Sequence, residues 1–241
     1  MTKNFAHRGF SGMYPENTIL AFSKALELGV DGIEMDVHLS KDGELIVIHD
    51  EALKRTTGKD GFVKDYTRAE LEKINAGKTK DDEFGFTPIP SFEEYLTFMK
   101  DRPETTNVEI KSLPYYYPGI EEKTVEMVRR FGMEDRIIFS SFNWMSIEKL
   151  GRICPEIPRG LLFDGFPLYN MGASIKGNNH QFFHPDYKYI NKMIVDELHA
   201  NGVGCNTWTV NEVEDIKKCL DAGVDGIIGN FPDRVKKILE G

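Results

Sequence analysis

The chain has 241 residues, of which 40% are hydrophobic and 29% are charged, and its formal net charge at pH 7 is −9. A chain of this length can bury a large core, and a single α/β barrel of about 250 residues is common. Because the charge is negative and no run of Lys and Arg stands out, nucleic acid and anionic membrane surfaces are disfavoured as partners, whereas a bound cation is compatible.

Cysteine usage and the N-terminus bear on the cellular compartment. The three cysteines, Cys154, Cys205 and Cys219, form no CxxC pair, and an odd number does not suggest a disulfide framework. We expect small buried side chains in a reducing compartment. The first residues, MTKNFAHRG, lack the apolar segment of a signal peptide, and no apolar run of about 18 residues occurs. These features predict a cytoplasmic protein without membrane insertion.

The first predicted elements are a strand, a helix and a second strand. Residues 5–7 read as a strand, and apolar residues recur at helical spacing over residues 17–28. Asn17 can serve as the helix N-cap, and Gly29 fits the left-handed position after the helix end. The second strand starts within the pentapeptide GVDGI, which begins at Gly29. Repeated helix-to-strand units of this kind build a parallel α/β fold.

A further strand, residues 44–50, follows after a connection of only three residues, 41–43. A parallel crossover needs about a dozen residues, so we predict an antiparallel hairpin in which Asp-Gly forms a two-residue turn. In that register Asp36 faces His49, and facing residues share one side of a hairpin. Glu34, Asp36 and His49 are therefore predicted to project together.

Residues 51–90 interrupt the alternation of helices and strands. This stretch is polar, contains several Gly and Pro residues, and is too long for a plain connection. We predict a small inserted subdomain or a lid over the barrel mouth, with a short capped helix at residues 67–77.

The remaining chain alternates between helix and strand patterns and contains a second copy of GVDGI at Gly223. Asn211 and Gly223 occupy the positions there that Asn17 and Gly29 occupy at the first copy. Helices are predicted at residues 91–100, 119–132, 143–153, 189–202 and 211–222. Strands are predicted at residues 107–111, 136–141, 159–163, 180–184 and 204–210, and after the second GVDGI turn. With the first two strands these make eight, which predicts a (β/α)8 TIM barrel as one domain over residues 1–241.

Acidic side chains occupy the inward face of two adjacent barrel strands. Glu34 and Asp36 are two residues apart and share a face, and a buried acid pair is costly unless something positive lies beside it. Asn107, Glu109 and Lys111 repeat the pattern on the next barrel strand. Neighbouring strands lie about 4.8 Å apart, so three carboxylates can reach one ion, and oxygen ligands suit Ca²⁺ or Mg²⁺. A plain salt bridge with Arg or Lys inside the barrel is the alternative.

Two histidines and two cationic side chains complete the candidate site. His7 and Arg8 end the first strand, where barrel enzymes place their chemistry, and Arg8 offers a donor fork suited to phosphate. With His49 and Lys111, this set matches an anionic substrate whose reaction takes one proton and gives one. A phosphodiester fits better than a sugar, since glycosidase chemistry asks for two carboxylates and no cationic clamp.

Aromatic side chains are expected near the same end of the barrel. Trp208 lies near the end of a late strand, and the sequence PYYYP, residues 114–118, follows Lys111 in a loop. Packing is the commoner role for any one aromatic residue. As a group they could bind an alcohol, or a cationic head group through cation–π contacts.

Ten short motifs occur in order along nearly the whole chain. They are AHRG (6–9), PENT (15–18), GIEMDV (32–37), DGELIVIHD (42–50), LKRTTG (53–58), IPSFEE (89–94), NVEIK (107–111), SSF (140–142), WTVN (208–211) and GVDGII (223–228). One such motif is weak evidence, but ten in this order are highly specific. In these motifs the chain resembles the glycerophosphodiester phosphodiesterase family.

This resemblance implies a TIM barrel with a small insertion after the second histidine. It implies hydrolysis of a small-molecule glycerophosphodiester to glycerol 3-phosphate and an alcohol, with a divalent cation as cofactor. By the resemblance, the functional residues are the metal ligands Glu34, Asp36 and Glu109, the catalytic histidines His7 and His49, and the substrate-binding residues Arg8, Lys111 and Trp208.

Several alternatives stay open at this point. Gly229-Asn230 stands where relatives usually carry Thr-Asp or Thr-Asn, so a phosphate-binding relative with weak turnover is one alternative. A phospholipase such as a sphingomyelinase D is another, although those are typically secreted and lack this insertion. An enolase-like barrel is disfavoured because it places its carboxylates on three separate strands. We favour His7 as base and His49 as acid; the leaving alcohol, the physiological metal and homo-oligomer formation are left open.

Overall fold

The computed structural model describes residues 1–80, 83–166 and 170–241. Parallel strands form a closed barrel, because the first strand pairs with the second and with the last. The strands are β1 (Lys3–His7), β2 (Gly32–Leu39), β3 (Leu45–Val47), β4 (Thr105–Ile110), β5 (Ile137–Ser141), β6 (Arg159–Phe163), β7 (Phe182–Pro185), β8 (Gly204–Thr207) and β9 (Gly226–Gly229). All but β3, which is antiparallel to β2, belong to the eight-stranded barrel. The predicted TIM barrel is confirmed.

Helices connect the barrel strands and cover their outer face. They are α1 (Ile19–Glu27), α2 (Lys54–Thr57), α3 (Arg68–Leu71), α4 (Phe92–Met99), α5 (Ile120–Phe131), α6 (Trp144–Ile153), α7 (Met171–Gly177), α8 (Lys192–Ala200), α9 (Val213–Ala222) and α10 (Pro232–Leu239). Short 3-10 helices span Val63–Asp65, Lys78–Lys80, Glu134–Arg136 and Tyr187–Tyr189. The sequence patterns above miss α2, α7 and α10, although Pro232 at the start of α10 is a common signal for a helix N-terminus.

The barrel wall separates an outer from an inner set of buried side chains. Met35 and Val108 lie in the main apolar core with residues of the surrounding helices, so the predicted outward face of β2 and β4 is confirmed. Phe5 and Ile228 pack in a separate cluster with aromatic neighbours. A Cβ atom at Gly32 would lie 2.5 Å from the Phe5 ring, so glycine at this position makes room for that ring.

The prediction that Asn17 and Asn211 are helix N-caps is wrong, whereas the prediction that glycines end these helices is confirmed. Thr18 caps α1, because its hydroxyl oxygen accepts a hydrogen bond from the Ala21 amide at 3.2 Å. Helix α9 begins after Glu212, which makes no side-chain cap hydrogen bond. Gly29 and Gly223 have φ of 75° and 85°, the left-handed conformation that ends a helix.

The hairpin of β2 and β3 has a different register from the predicted one. Val37 faces Val47, so Asp36 does not face His49. The main-chain N–H of Ser40 donates to the Glu44 carbonyl oxygen at 2.9 Å, so residues 41–43 form a turn of three residues rather than two. The Ser40 hydroxyl also donates to Asp42 within this turn, at 2.6 Å. The third turn residue, Gly43, has φ of 80°. A left-handed residue at this position is common in three-residue hairpins.

Residues 51–90 have a small apolar cluster of their own, which includes Ile46 and Ile48 at the end of the hairpin. The helix predicted over residues 67–77 is limited to α3, which starts with a capping box. Residues 81 and 82 lie outside the described ranges. The role of this segment as a lid stays a prediction.

Two expectations from the composition can be compared with the structure. The three cysteines are free and buried, as expected. In the described part of the chain, no helix is both long and apolar enough to cross a membrane.

Candidate active site

Three carboxylates lie together at the carboxyl ends of β2 and β4. Asp36 pairs in register with Glu109, and Glu34 precedes Asp36 by two residues on the same face. One oxygen atom from each of the three lies within 4.8 Å of the others. All three residues are buried, with at most 7% of their surface exposed. The structure therefore brings together the three residues that the sequence predicts as metal ligands.

Two cations neutralise part of this negative charge. Lys111 Nζ lies 2.5 Å from Glu109 Oε1 and 3.1 Å from Asp36 Oδ1. Arg8 Nε lies 3.5 Å from Asp36 Oδ2, to which Asn17 Nδ2 donates a hydrogen bond at 2.8 Å. Burial raises the pKa of Asp36, but the charges of Lys111 and Arg8 outweigh burial and hold this pKa well below its ordinary value.

The other two carboxylates remain short of positive charge. Burial raises the pKa of Glu34 well above its ordinary value, and the charges of Asp36 and Glu109 raise it further. Burial also raises the pKa of Glu109, against the effect of Lys111. A divalent cation would supply the missing charge, and carboxylate oxygens are ligands for Ca²⁺ and Mg²⁺. The residues present therefore fit the cofactor that the sequence predicts.

His7 lies at the end of β1 and is held by the chain after β9. Its Nδ1 is 2.6 Å from Asn230 Oδ1, and its Nε2 is 3.7 Å from Glu34 Oε2. The main-chain N–H of Asn230 donates to Asn211 Oδ1 at 2.9 Å. Because an amide oxygen only accepts, Nδ1 of His7 carries the proton and Nε2 keeps its lone pair. Burial and, to a smaller extent, the positive charge of Arg8 lower the pKa of His7 to about 3. The ring is therefore neutral.

His49 follows β3 and is held by a carboxylate rather than an amide. Its Nδ1 lies 2.6 Å from Asp50 Oδ1. Arg55 of α2 donates to Asp50 Oδ2 at 2.6 Å and to Asp50 Oδ1 at 3.0 Å. Burial raises the pKa of Asp50, but the hydrogen bonds from His49 and Arg55 outweigh burial and hold this pKa well below its ordinary value. Asp50 is therefore a fixed negative charge behind the His49 ring.

Arg55 also connects this pair to Arg8. Its two terminal nitrogens donate to the two oxygens of Glu16, each at 2.7 Å. Glu16 Oε1 accepts a further hydrogen bond from Arg8 Nη1 at 2.9 Å. One guanidinium from the segment 51–90 therefore fixes two carboxylates, one behind His49 and one behind Arg8.

A cavity of about 70 Å³, here called the central cavity, lies at the barrel mouth. His7 and His49 line it together, although the predicted hairpin register is wrong, because His49 lies in the irregular segment beyond β3. Asp36 and Lys111 are not among the described residues that line it. The lining residues are His7, Arg8, Glu34, His49, Asn107, Glu109, Phe142, Leu162, Trp208, Thr209 and Ile228.

The predicted aromatic group is only partly assembled at this cavity. The Trp208 ring packs edge-on against Phe142 at 5.3 Å, and its Nε1 donates to a main-chain carbonyl at 2.8 Å. Tyr117 is turned inward and is 6% exposed. Tyr115 packs against Phe62 at 5.6 Å. Of the aromatic residues that the sequence predicts for substrate binding, Trp208 alone lines the described cavity.

The sequence analysis did not predict a functional role for several residues of the site. Asn17 and Asn211 resemble N-caps locally, Asp50 ends the predicted strand 44–50, and Arg55 lies in the polar stretch 51–90. The unusual Gly229 has a steric explanation, since a Cβ atom there would collide with the carbonyl oxygen of Val210. Its neighbour Asn230 still reaches His7, so the departure from Thr-Asp or Thr-Asn leaves the support of His7 in place.

The fold, with its polar side chains gathered at the carboxyl ends of the strands, defines a TIM-barrel enzyme. Within that class the chain belongs to the glycerophosphoryl diester phosphodiesterase family, whose model matches residues 7–234.

Individual relatives agree with this assignment. The chain is 44% identical to the glycerophosphodiester phosphodiesterase of Bacillus altitudinis, covering 100% of this chain and 99% of the relative. It is 42% identical to that of Caldanaerobacter subterraneus subsp. tengcongensis, covering 97% and 96%. Among solved structures, an Oleispira antarctica phosphodiesterase in complex with the product sn-glycerol-3-phosphate is similar at a TM-score of 0.90 and 27% identity, covering 98% of this chain and 96% of that chain.

Proposed function

We propose that the protein hydrolyses glycerophosphodiesters to sn-glycerol 3-phosphate and an alcohol, with Ca²⁺ or Mg²⁺ as cofactor. The observation that carries the proposal is the central cavity, where His7, His49 and Arg8 meet two members of the carboxylate cluster. The names of the two relatives at 44% and 42% identity and the product complex of the Oleispira enzyme support the same reaction.

Glu34, Asp36 and Glu109 would hold the cation. When bound, such an ion lowers the pKa of a coordinated hydroxyl and neutralises charge on the phosphate. Lys111 pairs with two of these carboxylates, and a cation in the cluster would leave it available to the substrate. Lys111 and Arg8 then stabilise the charge that develops on the phosphate oxygens.

The two histidines divide the proton transfers according to their partners. His7 presents the lone pair of Nε2, so it acts as the base that takes a proton from the attacking glycerol hydroxyl or water. His49 acts as the acid that protonates the oxygen of the leaving alcohol. A positive ring is better matched by the carboxylate of Asp50 than by the neutral amide of Asn230. Trp208 forms part of the wall against which the glycerol lies.

The test is the release of glycerol 3-phosphate from glycerophosphocholine, after a chelator has removed bound metal and after Ca²⁺, Mg²⁺ or Mn²⁺ is added. We expect activity only with an added cation. His7→Ala and His49→Ala should each lower kcat by about 10² or more. A His49→Ala enzyme with near-normal kcat would refute its role, and no release with any cation would favour a phosphate-binding protein. Preferential cleavage of liposomal phospholipid would favour the phospholipase alternative.

A further inference from the structure

A second pocket adjoins the central cavity on the side of β4 and β5. We call it the side pocket; it is lined by residues 109–114 and 141–143 and has a volume of about 390 Å³. The two cavities share Glu109 and Phe142 as lining residues. A diester held at the carboxylate cluster can therefore place one half in each cavity.

The uncharged polar side chains of the side pocket, Ser112, Ser141 and Asn143, each make a hydrogen bond within the protein. Ser112 pairs with Ser146 at 2.8 Å, and Ser141 donates to the Ile110 carbonyl oxygen at 2.8 Å. Asn143 Oδ1 accepts from the Met145 amide at 3.0 Å. Groups that are satisfied in this way have less to offer a polar ligand.

Apart from the ion pair of Lys111 and Glu109, the remaining surface of the side pocket is apolar. Leu113 is 56% exposed and Phe142 is 39% exposed, and Pro114 lies beside them in the lining. Glu109 is the one acidic residue among the described lining residues, and it is paired with Lys111 at 2.5 Å. The pocket therefore provides no free carboxylate for an ammonium group, whereas an apolar group can be buried there at little cost.

We propose that the side pocket is the binding site for the leaving alcohol and that it selects an uncharged, apolar alcohol over a cationic one. This inference rests on the proposed diesterase function. The smaller central cavity, with His7 and Trp208 in its wall, takes the three-carbon glycerol half. Leu113, Pro114 and Phe142 then contact the alcohol, and Phe142 separates the two halves of the substrate.

The test compares two esters of the same shape and different charge. Glycerophosphocholine and glycerophospho-3,3-dimethylbutanol differ only in the quaternary nitrogen, which is carbon in the second. We expect kcat/KM to be at least about tenfold higher for the neutral ester. A higher kcat/KM for the choline ester would overturn the inference and would instead indicate cation–π recognition at the Phe142–Trp208 pair.

A series of n-alkyl esters, from methyl to butyl, tests whether the pocket walls cause the selectivity. Each added methylene should raise kcat/KM about fourfold. Leu113→Asn should lower the butyl-to-methyl ratio of kcat/KM, while Met193→Ser, which alters a 75% exposed side chain outside the pocket lining, should leave it unchanged. An unchanged ratio in Leu113→Asn, or no dependence on chain length in the wild type, would overturn the subsite alone. If no ester is cleaved, including glycerophosphocholine, the proposed function itself fails.

Discussion

His38 on β2 holds the main chain of His49: its Nε2 lies 2.9 Å from the carbonyl oxygen of His49. Because a carbonyl oxygen only accepts, Nε2 carries the proton, and Nδ1 is left to accept from the Tyr117 hydroxyl at 3.1 Å. His38 is 1% exposed and does not line the central cavity. A buried ring thus fixes where His49 stands and ties it to the loop after β4.

Removing this contact should slow catalysis without unfolding the protein. We expect His38→Leu to lower kcat by about tenfold to a hundredfold, because a misplaced catalytic group has effects of that size. His38→Gln keeps an amide donor near the position of Nε2 and should recover most of the loss. The measurements are kcat with glycerophosphocholine and the thermal midpoint of each variant. A Gln variant as slow as the Leu variant would show that packing, rather than the hydrogen bond, is what matters.

Arg55 allows a prediction about the segment 51–90. A surface ion pair typically contributes at most about 1 kcal/mol to stability, but Arg55 makes four hydrogen bonds to Glu16 and Asp50. We expect Arg55→Gln to lower kcat at least about tenfold, since Arg8 and His49 both lose an oriented partner. Arg55→Lys should rescue poorly, because one ammonium cannot replace a planar fork that spans two carboxylates.

Lys54 offers a matched control for Arg55 in the same helix. It pairs with Asp60, and the two side chains are 64% and 90% exposed. Lys54→Gln should leave kcat unchanged. If Arg55→Gln and Lys54→Gln have equal activity, the network around Arg55 does not position the site.

The carboxylate cluster predicts that a divalent cation stabilises the fold. A ligand that binds only the folded state at about 100 times its Kd contributes about 2.7 kcal/mol, which for a chain of this size raises Tm by roughly 5 to 10 °C. Scanning fluorimetry with chelator, Ca²⁺ or Mg²⁺ measures the shift. Glu109→Gln removes one ligand and should abolish most of it. Glu121→Gln, at a buried glutamate bonded to Ser146 and Lys149, should retain it, and equal shifts in the two variants would count against the cluster as the binding site.

The barrel and the acid cluster could be predicted because local sequence encodes them. Alternation along β2 and β4 puts Glu34, Asp36 and Glu109 on one face, and adjacent parallel strands bring that face together. The predicted hairpin register is wrong because the register depends on the length of the turn, which is set by the hydrogen bonds of Ser40 and Asp42. The same residues are compatible with a two-residue and a three-residue turn.

The supporting residues of the site could not be predicted for a different reason. Asn17 and Asn211 have the local context of N-caps, but tertiary partners at Asp36 and Asn230 compete for their side chains. Local spacing carries no information about partners from distant segments. The hydrogen bonds of Arg55 to Glu16 join residues 39 positions apart, so only the folded chain reveals them.

A buried histidine away from the central cavity makes the stability of the fold sensitive to acid. His184 on β7 is fully buried, and burial lowers its pKa from 6.5 to about 3. In the unfolded chain the ring titrates near its ordinary value, so below that pH the unfolded state binds a proton that the folded state does not. The stabilisation is therefore complete above about pH 6.5 and is lost as the pH falls towards about 3. His7 and His38, with pKa values lowered to about 3 and about 4, act in the same direction.

Replacing His184 with glutamine should reduce this sensitivity, because glutamine does not titrate. Between pH 7 and pH 5 one such histidine accounts for a loss of about 2 kcal/mol in the free energy of unfolding. We expect His184→Gln to be less stable than the wild type at pH 7, since the ring packs against Gly160 and Asn206, yet to lose about 2 kcal/mol less on acidification. Urea unfolding at the two pH values measures the difference. A loss in His184→Gln equal to that of the wild type would contradict the argument from burial.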